Sequence, residues 1–307
     1  ERHVQAMRAA GHAIDRHPMD AEQTRHGTFV APTLIEISDI AELEREVFGP
    51  VLHVLRYRRQ DLDTVIDAIN SRGYGLTFGV HTRLDETVRH VTERIRVGNI
   101  YVNRNIVGAT VGVQPFGGEG LSGTGPKAGG PLYLHRLLAA GPSFLPVEGV
   151  VGKGARPLTL PGPTGETNQY HLKPRGTVLC HAASSAGAQA QLEACQRTGN
   201  DMLWVDHPEV RAFLAARPEG AGARWVAPEA AAAADFQAVL YEGDGDGLQT
   251  LSRAVAERSG PIVPILARRV DELSAGKAYP LEMLVREVSV CINTAAAGGN
   301  ASLMMVG

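Results

Sequence analysis

The residues best placed for chemistry lie in the glycine-rich stretch 112–123, because its backbone can pass close to a ligand. Within it, Gly118-x-Gly120-x-x-Gly123 matches the pattern of a dinucleotide-binding loop. Such a loop requires a strand directly before it, a helix directly after it and an acidic residue about twenty positions further on. Here Pro115-Phe116 precedes the glycines and Gly125-Pro126 follows them, so the sequence argues against a dinucleotide site at these glycines.

The three cysteines are the other candidate reactive groups. Cys180, Cys195 and Cys291 have neither the spacing of a metal site nor that of a disulfide framework. We therefore predict that they are small core residues in a reducing compartment, and we predict no metal site. The strand ends of the second half of the sequence also lack a phosphate-binding loop and a paired acid and base, so we expect no bound nucleotide there.

Charge and length exclude several classes of protein. The net charge is −3 and the positive residues are scattered, so no basic stripe indicates nucleic-acid binding. No apolar run approaches the roughly 18 residues that span a membrane. The 307 residues suit two domains. The first residues, Glu1-Arg2-His3-Val4, carry no signal-peptide pattern and resemble the middle of a helix, so we expect a piece of a larger polypeptide.

Strands and helices alternate before the glycine-rich stretch. Apolar residues recur at a helical period as far as Ile14, which predicts a helix over residues 1–17. Pro32 interrupts a strand over residues 29–35 and predicts an edge or bulged position for it. The other predicted elements of this half are strands 51–57, 74–80 and 98–103 and helices 61–70 and 85–95. This alternation predicts a mostly parallel sheet covered by helices.

A change of composition marks a domain boundary at residues 139–174, which are rich in glycine and proline. Residues 158–160 and 168–172 predict a hairpin, which we interpret as an extended β flap. The alternation then restarts as a second α/β unit, with strands 177–181, 202–205, 224–226, 236–241 and 261–266 and helices 189–197, 208–216 and 247–258.

Residues 96–103 and 286–293 resemble each other, since both end in alternating apolar residues and an asparagine. The second unit is therefore either a degenerate relative of the first, or the two buried strands are alike by chance. The closing stretch 293–305 is too apolar for a solvated tail, and we predict that it is packed.

The order of a buried strand, a glycine-containing turn and Pro115-Phe116-Gly117-Gly118 resembles the final part of an aldehyde dehydrogenase catalytic domain. Nearly the whole sequence resembles the C-terminal part of the proline utilization A family, whose members join a flavin-dependent proline dehydrogenase to an NAD-dependent L-glutamate γ-semialdehyde dehydrogenase. The most specific matches are residues 115–127 and 293–303. The resemblance implies an α/β fold, with the end of an aldehyde dehydrogenase catalytic domain over 1–140, a linker and β flap over 141–175, and a second Rossmann-like α/β domain with a closing tail over 176–307.

The resemblance also assigns roles to five residues. Glu46 and Phe48 match the family's Glu-x-Phe-Gly-Pro, where the glutamate binds the nicotinamide ribose hydroxyls of NAD and the phenylalanine borders the nicotinamide. A carboxylate suits a diol because it only accepts hydrogen bonds. Gly108 and Ala109 match the aldehyde anchor, whose N–H groups bind the substrate's carboxylate, and Phe116 matches the aromatic that packs on its aliphatic part. The alternatives are a helix-end glutamate, core phenylalanines and a plain surface loop.

The implied activity is the NAD-dependent oxidation of L-glutamate γ-semialdehyde (1-pyrroline-5-carboxylate), the second step of proline oxidation to glutamate. FAD would belong to the proline dehydrogenase part. Aldehyde oxidation in the family needs a cysteine thiolate, and none of the three cysteines stands in the family's Gly-Gln-Arg-Cys turn. We therefore predict that this chain holds no catalytic residue and is inactive alone.

The resemblance implies a cytoplasmic enzyme with substrate channelling, whose parent is peripheral at the inner membrane. Its partners would be the semialdehyde substrate, the upstream domains of the same polypeptide and further copies in a homo-oligomer. Two alternatives stay open. Residues 145–307 could form a structural lid or oligomerisation module without a ligand of its own, or the chain could be a binding protein that has lost catalysis.

Overall fold

A computed structural model describes residues 1–138 and 156–295. The chain divides into two compact units, residues 1–72 with 93–95 and residues 73–92 with the chain from 96 onward. The structure is mixed α/β with parallel strand pairs, as predicted. Among the described residues, no helix is long and apolar enough to cross a membrane.

The first unit packs helices on a three-stranded sheet. Its elements are α1 (Arg2–Ala9), β1 (Ile14–Arg16), α2 (Ala21–Thr24), β2 (Thr33–Ile37), β3 (Val51–Leu55) and α3 (Leu62–Ser71). β2 is the central strand, antiparallel to β1 and parallel to β3. Val4 and Met7 of α1 pack on Ile35 and Ile37 of β2 to form a buried core. The predicted strand 51–57 and helix 61–70 are confirmed.

Two predictions for this unit are wrong. The helix predicted over residues 1–17 ends at Ala9, because Gly11 takes a left-handed backbone conformation (φ +90°) and Ile14 then pairs with Ile35 in the sheet. The strand predicted from residue 29 begins only after Pro32. The proline therefore stays outside the hydrogen-bonded ladder, and the strand is central rather than at an edge.

The remaining elements follow in chain order. They are β4 (Tyr74–Gly75), β5 (Thr77–Val80), α4 (Asp85–Arg94), β6 (Asn99–Val102), β7 (Glu119–Gly120), α5 (Pro131–Leu137), β8 (Leu158–Leu160), β9 (Glu166–Pro174), β10 (Thr177–His181), α6 (Ser185–Thr198), β11 (Asp201–Val205), α7 (Pro208–Ala215), β12 (Arg224–Val226), β13 (Ala238–Glu242), α8 (Gly245–Ala256), β14 (Ile265–Arg268), α9 (Val270–Ser274) and β15 (Val285–Asn293). They confirm the predicted hairpin and the predicted second α/β unit.

The first sheet of the second unit has the order β5-β6-β15-β9-β8. β6 is parallel to both β5 and β15, whereas β9 is antiparallel to β15 and to β8. β15 pairs with β6 in the register that joins Ser289 to Asn99 and Ile292 to Val102. The two segments that resemble each other in sequence are thus neighbouring strands in matching register. The predicted strand 74–80 is divided, because β4 leaves this sheet to pair with β7.

The second sheet is fully parallel, with the order β12-β11-β10-β13-β14. This is the 3-2-1-4-5 order of a doubly wound fold. Its two faces bury alternate residues of the same strands: Cys180 and Trp204 pack with α6 and α7, whereas Leu179 and Leu203 pack with α8. The predicted packing of residues 293–305 falls almost entirely beyond residue 295, outside the described residues.

Candidate functional site

The stretch around Phe116 is fixed by buried polar side chains of the first sheet. Asn99 of β6 donates to the Pro115 carbonyl (3.0 Å) and accepts from the Gly117 amide (3.1 Å). Ser289 of β15 also donates to the Pro115 carbonyl (2.7 Å). Phe116 itself is half-buried and exchanges two backbone hydrogen bonds with Ala128. The backbone on both sides of this phenylalanine is therefore held in place.

Gly98 allows this stretch to approach the sheet. A Cβ at residue 98 would lie 1.9 Å from the Gly117 carbonyl oxygen, so any side chain there would displace the stretch. Gly98 also accepts a backbone bond from Ser289, which ties the start of β6 to β15.

Lys127 brings a buried charge to the same place. Its Nζ donates to Asn99 Oδ1 (2.9 Å) and to the Gly117 carbonyl, and burial lowers the pKa of this lysine to about 8. Its backbone N–H donates to Glu287, which also accepts from the Tyr170 hydroxyl (2.6 Å). Burial raises the pKa of Glu287, although the bonds from Tyr170 and Lys127 oppose that shift.

Gly108, which is exposed, and Ala109, which is half-buried, lie in the loop after β6, and we call residues 107–111 the anchor loop. Val107 N donates to Asn105 Oδ1 (3.2 Å), and Thr110 N donates to Gln114 Oε1 (2.9 Å). The amides of Gly108 and Ala109 lie between these two. Neither donates to an acceptor within residues 1–138 and 156–295. Gly108 and Ala109 thus offer two adjacent N–H groups that have no protein acceptor, and the Val111 and Gly112 amides also lack one among the described residues.

The buried Tyr101 determines which way one of these amides points. Its hydroxyl donates to the Gly108 carbonyl oxygen (3.0 Å). A trans peptide places its C=O and N–H on opposite sides, so the Ala109 N–H points away from Tyr101. The Gly108 backbone has φ +70°, a conformation that glycine adopts without strain.

Arg104 does not serve as the anion-binding group of the loop. Its guanidinium pairs with Glu166 of β9 (2.6 Å), donates to Cys291 Sγ (3.0 Å) and lies over the Tyr101 ring.

Glu46 and Phe48 lie in the first unit, in the loop that leads into β3. Glu46 is exposed, and Phe48 is 90% exposed. Gly49 has φ +148°, and Val51 N donates back to its carbonyl, which forms a turn directly before the strand. Phe48 is thus not part of a core among the described residues, and the roles of Glu46 and Phe48 stay predictions. The structure places Gly108, Ala109 and Phe116 in the other unit.

The three cysteines are free and buried. Burial raises the pKa of Cys180, whose Sγ lies 3.9 Å from that of Cys195 in the core of the second sheet. Burial also raises the pKa of Cys291, and Arg104 opposes that shift. Across residues 1–138 and 156–295, no three metal-ligating side chains meet in one cluster.

Glu242 fills the crevice where a doubly wound sheet usually binds its ligand. This carboxylate, 1% exposed at the end of β13, accepts from the amides of Ala183 (2.8 Å) and Ser184 (3.0 Å) and from the Ser184 hydroxyl. A Cβ at Gly187 would collide with it. Since β10 and β13 flank the switch point of the sheet, the chain's own carboxylate takes the place of an anion at the start of α6.

Sequence reasoning missed the residues that support the site. Tyr101, Gln114, Lys127 and Glu287 were not singled out, because each is ordinary in its local sequence. Lys127 lies in the segment that contains Pro-Phe-Gly-Gly. A lysine among apolar and glycine residues is the one sequence signal that could indicate a buried charge there.

Comparison with known proteins gives matches to one family and to larger relatives. Residues 1–140 match the model of the aldehyde dehydrogenase family. Over its whole length the chain is similar to the bifunctional protein PutA of Rhizobium meliloti, with 46% identity over 340 aligned residues. The chain spans 28% of that relative's length and matches its C-terminal region.

Two solved structures are also similar. PutA from Corynebacterium freiburgense aligns with a TM-score of 0.61 and 23% identity, covering 92% of this chain and 29% of that one, which shows the fold alone. A 1-pyrroline-5-carboxylate dehydrogenase from Thermus, solved with bound NAD, is 37% identical over 44% of this chain and 26% of its own, with a TM-score of 0.38.

Proposed function

We propose that this chain is part of an NAD-dependent L-glutamate γ-semialdehyde (1-pyrroline-5-carboxylate) dehydrogenase within a longer PutA-type polypeptide. In this proposal residues 1–140 complete a catalytic domain, residues 141–175 form a linker and flap, and residues 176–307 form an additional domain. The chain supplies the aldehyde anchor and part of the NAD site.

The pair of free amides in the anchor loop carries the proposal. Glutamate semialdehyde differs from a simple alkyl aldehyde by an α-amino acid end, whose carboxylate needs donors. The N–H groups of Gly108 and Ala109 have no acceptor among the described residues, and neither residue carries a side chain larger than a methyl group. Hydrogen bonds to a charged group contribute roughly 1.5–3 kcal/mol each, so two of them suffice to select a carboxylate.

Glu46 and Phe48 suit the nicotinamide half of NAD. The exposed carboxylate can accept from both ribose hydroxyls, and the exposed ring offers an apolar face to the nicotinamide. When bound, NAD supplies the hydride acceptor of the reaction. FAD belongs to the proline dehydrogenase part of such a polypeptide.

The nucleophile is proposed to lie outside this chain. Aldehyde oxidation in the family begins with a thiolate, yet the three cysteines are buried, and burial raises the pKa of Cys180 and Cys291. No catalytic residue is therefore assigned to the chain, whose contribution is to orient the aldehyde and the cofactor.

Ala109→Leu tests the proposal in the polypeptide that joins this chain to the rest of the dehydrogenase. The larger side chain should keep the substrate's carboxylate from both amides. Losing two charge-assisted bonds would cost roughly 3 kcal/mol or more, which is on the order of a hundredfold in kcat/KM for the semialdehyde. NADH formation measures the rate.

A short uncharged aldehyde should lose much less, because it makes no bond to the amides. Ala230→Leu adds the same bulk at an exposed alanine far along the sequence and should change neither rate. Equal losses for both aldehydes in a folded Ala109→Leu variant would show that the loop does not bind the carboxylate.

A second function is favoured for residues 145–307, that of a structural lid or oligomerisation module without a ligand of its own. Glu242 supports it, because this carboxylate already accepts the hydrogen bonds that a nucleotide phosphate would take at the start of α6. The two functions are compatible, since the first describes the whole enzyme and the second the contribution of one part.

A further inference from the structure

A single buried side chain joins the anchor loop to two distant strands. Gln114 is buried, and its Oε1 accepts from the Thr110 amide (2.9 Å). Its Nε2 lies 3.0 Å from Asn168 Oδ1 and 3.3 Å from Glu166 Oε2 of β9, and 3.2 Å from Cys291 Sγ of β15. Both ends of this amide are therefore engaged, one by the loop and the other by the sheet.

The bond from the Thr110 amide is one of several that hold the loop, since the Thr110 carbonyl also accepts from the Val113 and Gln114 amides. Gly108 and Gly112 both have positive φ values, and glycine crosses between backbone regions at little cost. Tyr101 holds the Gly108 carbonyl, and Gln114 holds the Thr110 amide. The two peptide units on either side of Ala109 are thereby fixed, and the Gly108 and Ala109 amides, like that of Val111, donate to no acceptor among the described residues.

The residues that bind the Nε2 end of the Gln114 side chain lie outside the part of the chain that matches the aldehyde dehydrogenase model. Glu166, Asn168 and Cys291 lie outside residues 1–140. Glu166 is itself held by Arg104 (2.6 Å), which also donates to Cys291 Sγ (3.0 Å). The Arg104–Glu166 ion pair, the Asn168 amide and the Cys291 thiol form one connected group around the Gln114 side chain. The orientation of Gln114 therefore depends on β9 and β15.

We propose that Gln114 is a positioning residue for substrate selectivity. Its side chain bonds to β9 and β15 at one end and to the anchor loop at the other. The positions of these two strands thereby determine which peptide N–H groups of the loop face the carboxylate. The proposal rests on the proposed function, since it concerns the same carboxylate site, and it gives the additional part of the chain a direct role in selectivity.

The first test measures hydrogen exchange at the Thr110 amide in the full 307-residue chain. Gln114→Met keeps the length of the side chain but removes the acceptor, so exchange at Thr110 should become about tenfold faster, as expected for the loss of one hydrogen bond. Asn168→Ala keeps Gln114 and removes one of its supports, and should give a smaller increase. Tyr279→Phe removes two other buried hydrogen bonds, one donated to the Tyr241 carbonyl and one accepted from Gln191, and should leave exchange at Thr110 unchanged.

The second test measures kinetics in the polypeptide that joins this chain to the rest of the dehydrogenase. Gln114→Met should raise KM for the semialdehyde about fivefold to tenfold while kcat stays within about twofold. KM for a short uncharged aldehyde should not change. Tyr279→Phe should alter KM for neither the semialdehyde nor the short uncharged aldehyde, even if it lowers the stability of the protein as much as Gln114→Met does.

Unchanged exchange at Thr110 in Gln114→Met would overturn the positioning role. Equal increases of KM for both aldehydes would overturn the role in selectivity. A wild-type joined polypeptide that does not oxidise the semialdehyde would instead refute the proposed function, and the exchange result alone would then decide whether Gln114 positions the loop.

Discussion

Because Lys127 is buried, the chain should become more stable to unfolding as the pH rises above 8. Burial lowers the pKa of this lysine from 10.5 to about 8 in the folded state. The unfolded chain therefore binds more protons than the folded chain between these two values. Since stability rises with pH wherever the unfolded state binds more protons, the free energy of unfolding should increase from pH 8 to pH 10.5.

The size of the effect follows from the shift. One pKa unit corresponds to about 1.4 kcal/mol, so the full shift of Lys127 corresponds to about 3 kcal/mol. The contribution recovered between pH 7 and pH 9 should be about 1 kcal/mol, and between pH 7 and pH 10 it should be about 2–3 kcal/mol. Glu287 and Glu119 favour the charged lysine, and the value of about 8 already includes their opposing effect.

Urea unfolding of the wild type and of Lys127→Met at pH 7, 8, 9 and 10 isolates this contribution. Methionine keeps the length of the side chain and has no charge, so groups that titrate in both proteins cancel in the difference between them. As the pH rises, the free energy of unfolding of the wild type should increase relative to that of Lys127→Met. Lys277→Met, at an exposed lysine paired with Glu272, should show a flat difference. A flat difference for Lys127→Met as well would refute the burial of a charged lysine beneath Phe116.

Three further outcomes are expected. The isolated chain should produce no NADH from glutamate semialdehyde and NAD, and turnover that is lost on alkylation of a cysteine would contradict this. In the joined polypeptide, Glu46→Ala should lower kcat/KM for NAD about tenfold or more, because hydrogen bonds to a charged group contribute roughly 1.5–3 kcal/mol; unchanged NAD kinetics would make Glu46 structural. Glu242→Ala should lower the free energy of unfolding by about 2–4 kcal/mol in urea, whereas exposed Glu229→Ala should change it by less than about 0.5 kcal/mol.

The second α/β unit was predictable because its strands are short apolar runs bounded by turn residues. Strand 177–181 and helix 208–216 needed no knowledge of distant contacts. Ile14 was misassigned because its spacing continues a helical period across Gly11, and only its pairing with Ile35 decides the outcome. The likeness of residues 96–103 to 286–293 did not predict that β6 and β15 pair, because similar buried strands need not be neighbours.

The support of the candidate site could not be predicted in the same way. Gln114, Glu166, Asn168 and Cys291 come from three separate segments, and no local pattern indicates that they meet. The resemblance indicates Gly108 and Ala109 as the proposed anchor, but only the hydrogen-bond partners of Val107 and Thr110 distinguish the amides that have an acceptor from those that do not. Long-range hydrogen bonds thus decide which peptide groups of an exposed loop remain available.

The pairing of β6 with β15 has a consequence for the synthesis of the protein. Asn293 at the end of β15 bonds to Asn103 just after β6, across 190 residues of sequence. Ribosomes add about 5–20 residues per second, so β15 emerges roughly 10–40 seconds after β6. Until then β6 has no partner on one side, and Gln114 lacks the sulfur contact that β15 provides. The nascent chain must therefore keep an incomplete sheet edge from pairing with other chains during translation.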